Sequence, residues 1–125
     1  MDVYLTDREA EVMDVLWKAG PSLVAEVREQ LPEEFAYTTV LTVLRTLEAK
    51  GYVDHSTEGR GHRYFAKIEQ RVARRSALQH LTEKLFDGSR ELLLTHLVSE
   101  KRLTADEIKR LRQLLDETTT KGKTK

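Results

Sequence analysis

Cysteine is absent from all 125 residues, and its absence removes disulfides, thiolate-bound zinc and thiol redox chemistry together. Proline and glycine are scarce, at two and six, which leaves little room for a loop-rich fold. No apolar run approaches the roughly 20 residues that a membrane-spanning helix needs, and the acidic opening Met1-Asp2 lacks the cationic start of a signal peptide. Net charge is missing too, with 21 Lys and Arg against 21 Asp and Glu, while the apolar share is an ordinary 39%. Wholesale disorder is therefore not expected. A cytoplasmic, mostly helical protein remains, with a length that suits one domain or one small domain with an appendage.

The balanced charge conceals a polarity along the chain. Residues 1–35 hold three cations and nine anions, residues 36–67 five cations and three anions, and residues 68–125 thirteen cations and nine anions. An anionic partner would be steered toward the middle and away from the start.

Thr6-Asp7-Arg8-Glu9 has the pattern of a capping box, and Val12, Met13, Leu16 and Trp17 follow it at helical spacing. Gly20-Pro21 stops that helix, and Ser22 is expected to cap a short second one that carries Val24, Val27 and Leu31 and ends at Pro32. The third helix is the most regular. Val40, Val43, Leu44 and Leu47 form its stripe, and Lys50-Gly51 closes it with a left-handed cap. Opposite the stripe lie Thr38, Thr42, Arg45 and Ala49, flanked by Thr39, Leu41 and Thr46, with no carboxylate on the first three turns.

Tyr52 to Lys67 reads as a β-hairpin. β-Branched and aromatic residues flank the turn Glu58-Gly59-Arg60-Gly61, whose two glycines are expected to supply positive φ. Three helices followed by a hairpin with cations at its tip spell a winged helix-turn-helix. The predicted fold class is accordingly mainly α with a small β-hairpin wing: a winged helix-turn-helix over residues 1–68, a helical dimerisation domain over 69–117, and a polar, disordered tail over 118–125.

A helix that enters the major groove must reach phosphates and base edges without carrying negative charge. Tyr37, Thr38, Thr39, Thr42, Arg45 and Thr46 on the third helix, with Arg60, His62 and Arg63 on the wing, are the expected DNA-binding residues. The bland alternative is a three-helix domain whose exposed face happens to be rich in threonine.

The C-terminal leucines also allow two readings, a monomeric subdomain or a two-fold interface. Three short helices are too small for an autonomous core, which favours a homodimer through Leu78, Leu81, Leu85, Leu93, Leu94, Leu97, Ile108, Leu111 and Leu115. Two linked modules would read a palindromic site.

No metal is expected. His55 and His62 sit on facing strands, His80 and His96 on separate helices, and no carboxylate–histidine spacing matches a known site. With no catalytic Ser-His-Asp signature, no phosphate-cradling glycine loop and no HExxH, neither an enzyme nor a cofactor is expected. Two further classes compete with an operator-binding repressor: a winged-helix protein-interaction module, and a regulator that senses a small ligand.

The run Ala36-Tyr37-Thr38-Thr39-Val40-Leu41-Thr42-Val43-Leu44-Arg45-Thr46-Leu47, followed by Lys50-Gly51-Tyr52-Val53, is similar to the penicillinase-repressor family of BlaI, MecI and CopY type. So are the opening Leu5 to Trp17, the segment His62-Arg63-Tyr64 and the segment Leu103 to Ile108. The resemblance implies a dimeric bacterial repressor whose third helix enters the major groove of a palindromic operator. In the antibiotic-responsive branch it further implies a membrane sensor-protease that triggers cleavage within the dimerisation region. This chain departs twice. It lacks the cysteines of the copper-responsive branch, and His96-Leu97 stands where the cleaved Asn-Phe pair is expected.

Overall fold

The computed structural model describes residues 2–100 and 102–123. Its elements are α1 (Asp7–Ala19), β1 (Ser22–Leu23), α2 (Val24–Gln30), α3 (Tyr37–Ala49), β2 (Val53–Glu58), β3 (Gly61–Ala66), α4 (Gln70–Leu85), α5 (Arg90–Glu100) and α6 (Ala105–Lys123). No helix among the described residues is long and apolar enough to cross a membrane. The fold is a winged helix-turn-helix followed by further helices, and it divides into two units between His80 and Leu81.

Local chemistry explains most of the boundaries in the first unit. Thr6 Oγ1 accepts from the Glu9 amide while Glu9 Oε1 accepts from the Thr6 amide, completing the capping box of α1. At the other end of the three-helix unit, Gly51 (φ 85°) follows α3, and the amides of Gly51 and Tyr52 donate to Glu48 and Leu47. That pair of bonds is a Schellman cap, and it requires the left-handed conformation glycine adopts at least cost.

The start of α2 differs from the sequence expectation. Ser22 is a strand residue, buried, and its hydroxyl donates to the Gly20 carbonyl. The cap position falls to Leu23, whose amide donates to Glu26 Oε1. Ser22-Leu23 are drawn into extended backbone because they pair antiparallel with Tyr64 and Arg63, adding a third strand to the hairpin in the order β1-β3-β2. At the hairpin tip only Gly59 has positive φ, at 60°, and Gly61 does not. Glycine first in a two-residue turn is the arrangement of type II′, where only the first central residue needs positive φ.

The core of the first unit is formed by Val12, Met13, Val27, Val40, Leu44, Leu47 and Val53, each less than 2% exposed. Trp17 packs on its margin and donates from its indole N–H to the Ile68 carbonyl at 2.9 Å. Two polar ties complete this unit. Lys50 reaches across to Glu9 at 2.8 Å, and Ser76 on α4 binds the Val3 backbone through both its amide (2.8 Å) and its carbonyl (3.3 Å). The Ser76 tie, with buried Ala73, is why the first unit runs to His80 and not to residue 68: the first half of α4 seals the winged helix.

In the second unit, Asp87 (φ 51°) and Gly88 (φ 74°) break the helix after Leu85, and Ser89 Oγ accepts from the Leu92 amide at the start of α5. Thr104 and Glu107 form the expected capping box of α6. α6 continues through Lys123, so a helix occupies most of the segment expected to be a disordered tail; residues 124 and 125 lie outside the described residues.

Candidate nucleic-acid interface

The two sides of α3 differ in chemistry. Val40, Leu44 and Leu47 are buried, while Tyr37, Thr38, Thr42, Arg45 and Thr46 are exposed and Thr39 is half-buried. The first turn carries no acid, and the Ala36 cap contributes no side-chain acceptor. The leading amides of α3 are thus left for an anion, with the positive end of the helix dipole behind them. Further along, the Thr42 hydroxyl donates to the Thr38 carbonyl at 2.8 Å, and the Thr46 hydroxyl donates to the Thr42 carbonyl at 2.9 Å. With those protons turned into the helix, the two threonines offer a neighbour oxygen lone pairs and methyl groups.

The wing separates residues that the sequence reading grouped. Arg60 at the tip and His62 on β3 are exposed. Arg63 is engaged elsewhere. Its guanidinium pairs with Glu58, lies 3.2 Å from Glu26 Oε1, and donates to the Pro21 carbonyl at 3.1 Å. The Glu58 hydrogen bond is the largest reason its pKa rises above the ordinary arginine value. Strand alternation is the cause. In the antiparallel register Ser56 opposes Arg63 and Thr57 opposes His62, so Arg63 and Glu58 share one face of the hairpin while His62 shares the other with His55 and Tyr64. Arg63 thus braces β3 against β2 and the start of α2.

That second hairpin face meets the end of α3. His55 Nδ1 bonds Glu48 Oε1 across the junction, the His62 ring stands edge-on to His55 with centroids 4.4 Å apart, and Tyr64 is buried between them and the helix. Burial raises the Tyr64 pKa, and the Glu48 charge raises it further; the Arg45 charge and its hydrogen bond to Tyr64 pull the other way. Arg45 is thereby held beside a fixed hydroxyl at the base of the wing. Sequence reasoning weighed His55 only against His62 and did not pair it with Glu48, because no short spacing rule links a helix end to the following strand.

Beyond His80 the burial pattern changes. Among the described residues only Thr82 is buried, and α5 buries none. Leu81, Leu85, Leu94, Leu97, Ile108, Leu111 and Leu115 are exposed, as is Leu78 at the end of the first unit; Leu93 is half-buried. Leu92, Val98 and Leu114 share that exposure. His96 packs edge-on against Phe86, with ring centroids 5.3 Å apart, and the His96-Leu97 peptide lies inside α5.

The family model described as penicillinase repressor matches residues 5–117. A relative named transcriptional regulator BlaI, from Mycobacterium tuberculosis, is 39% identical over 118 residues, covering 90% of this chain and 83% of its own. The methicillin resistance regulatory protein MecI of Staphylococcus aureus is 22% identical over 116 residues, covering 90% and 93%. Among solved structures, a transcriptional regulator from Thermotoga maritima superimposes with a TM-score of 0.53 at 18% identity, covering 96% of this chain and 77% of that one. That likeness supports the winged-helix architecture.

Proposed function

The chain belongs to the penicillinase-repressor family, and from that premise we propose that it is a cytoplasmic, homodimeric repressor that holds a palindromic double-stranded DNA operator with two copies of α3 and the wing. The family is one of transcriptional repressors, and the chain is not an enzyme. The observation that carries the proposal is the outward face of α3: Tyr37, Thr38, Thr42, Arg45 and Thr46 exposed together, with no acid in the first turn, beside a wing tip that bears Arg60. Placed in the major groove, Arg45 pairs with guanine or phosphate, and Thr42 and Thr46 offer methyl groups to thymine and lone pairs to base amino groups. Thr39 and His62 line the margins of the same surface.

The dimer rests on the exposed leucines of the second unit. One winged helix gives modest affinity, whereas a second copy on the same operator binds at the effective concentration its tether imposes. Fluorescence anisotropy against DNA fragments flanking its own gene tests the whole reading. The expected result is tight binding to one palindrome, with affinity falling steeply as salt rises; equal affinity for unrelated fragments overturns it.

Release by a membrane sensor-protease is a second, separable reading, drawn from the family resemblance. Here the His96-Leu97 peptide is helical, so α5 must unwind locally before a protease cleft can take it as an extended strand. Co-expression with a sensor-protease encoded beside its gene, followed by mass spectrometry of the fragments, tests that route.

A further inference from the structure

The junction between α3 and β2 holds a set of donors that DNA binding does not use. One ligand atom from each of Glu48, Asp54 and His55 lies within 4.8 Å of the other two. Glu48 comes from the last turn of α3, and Asp54 and His55 come from β2. Four-coordinate zinc with bonds of about 2.0–2.1 Å sets its ligands roughly 3.3 Å apart, so small side-chain rotations close the gap. The geometry points to a divalent transition-metal site of the zinc class at this junction.

Three features support it. The donor set is one imidazole and two carboxylates, a nitrogen–oxygen combination that suits zinc and its first-row neighbours better than calcium or magnesium. The two carboxylate charges match a dication. The site is also reachable: the Glu48 and His55 side chains are 33% and 29% exposed, and Asp54 is exposed. His62, edge-on to His55 at 4.4 Å, is the side chain placed to fill the remaining position in place of water. Asp54 Oδ1 accepts from the His55 amide at 2.8 Å, which anchors that carboxylate and leaves its second oxygen for the metal. On binding, the metal takes the place of the hydrogen between His55 Nδ1 and Glu48 Oε1, and the neutral imidazole carries its N–H on Nε2. The consequence is a pin between the recognition helix and the wing.

The test needs no DNA, so it fails or succeeds independently of the operator reading. Zinc is titrated into the full chain against a chromophoric chelator, with the histidine ring signals followed by NMR. One zinc per chain is expected, shifting the His55 ring signals and leaving those of His96 in place. His55→Ala and Asp54→Asn should each weaken binding by about tenfold or more, and His80→Ala should not. Asp54 is exposed, so Asp54→Asn keeps the comparison informative if His55→Ala fails to fold. Zinc should also raise the melting temperature of the parent but not of Asp54→Asn. A chain that binds no zinc, or one whose affinity survives Asp54→Asn and falls with His80→Ala, overturns the proposal.

Discussion

In the first unit Val12, Met13, Val27, Val40, Leu44, Leu47 and Val53 are sealed from water, whereas beyond His80 the described residues leave leucine after leucine exposed, Leu97 at 59% and Leu85 at 66%. Both regions are built from helices rich in apolar side chains, and both carry sound caps. The difference is what lies opposite each apolar stripe. α1, α2 and α3 face one another and the hairpin, so their stripes close into one core. Among the described residues, α5 and α6 leave no apolar side chain fully buried. A helix whose apolar face stays wet forgoes roughly 1.5–3 kcal/mol per large side chain, which is a strong incentive for a second copy. On the proposed function the first unit is the folded reader, and the second is half of an interface.

Six substitutions test how deep that contrast runs, from the largest effect to the smallest. Leu97→Asp should convert the dimer to monomer in sedimentation and weaken operator binding by about 10²–10⁴-fold through lost avidity, with the winged helix still folded; a persistent dimer breaks the comparison. Thr42→Glu places a carboxylate on the DNA face of a folded first unit. It should cost about 100-fold or more in operator affinity, with the helical circular dichroism retained. Leu44→Ala opens a cavity in a closed core and should lower the urea-unfolding free energy by about 3 kcal/mol, whereas Leu97→Ala should leave the first unit's unfolding transition in the full chain unchanged. Arg60→Ala should reduce the salt slope of operator binding by about one, as loss of one phosphate contact does, while Arg63→Ala, already paired inside the protein, should leave the slope in place.

Each unit holds a capping-box carboxylate whose pKa is depressed, Glu9 in the first and Glu107 in the second, and of the two Glu9 is the buried one. Burial raises the Glu9 pKa, but the Lys50 hydrogen bond and charge and the two bonds with Thr6 outweigh it, so the net value lies below 4.5. A carboxyl depressed in the folded state adds stability above its unfolded pKa and loses it as pH falls through the folded one. Denaturation of the parent and of Glu9→Gln should therefore differ near neutral pH, by about 1 kcal/mol or more for a charge-assisted bond, and converge as pH falls below the ordinary glutamate range and through the depressed folded value.

Much of this was legible in the sequence because it depends on neighbours a few residues apart. The capping boxes at Thr6 and Thr104, the Gly51 cap, the stripe from Val40 to Leu47 and the acid-free opposite side are all patterns of one helical turn or two. The pairing of Arg63 was not legible because it depends on which face of a strand the residue occupies and on Glu26, 37 residues away. Ser22 was misjudged because a strand partner 42 residues on claimed it before the helix could.

What the sequence determined alone is the set of helices, their apolar sides and the residue types offered to a polyanion, since these follow from hydrogen bonds and periodicity within one segment. The tertiary structure decided the rest: that α4 seals the winged helix through Ser76, that Arg63 braces the wing, and that Glu48 meets Asp54 and His55. Those outcomes turn on atoms brought together from separate elements, and only a closed core fixes which atoms meet.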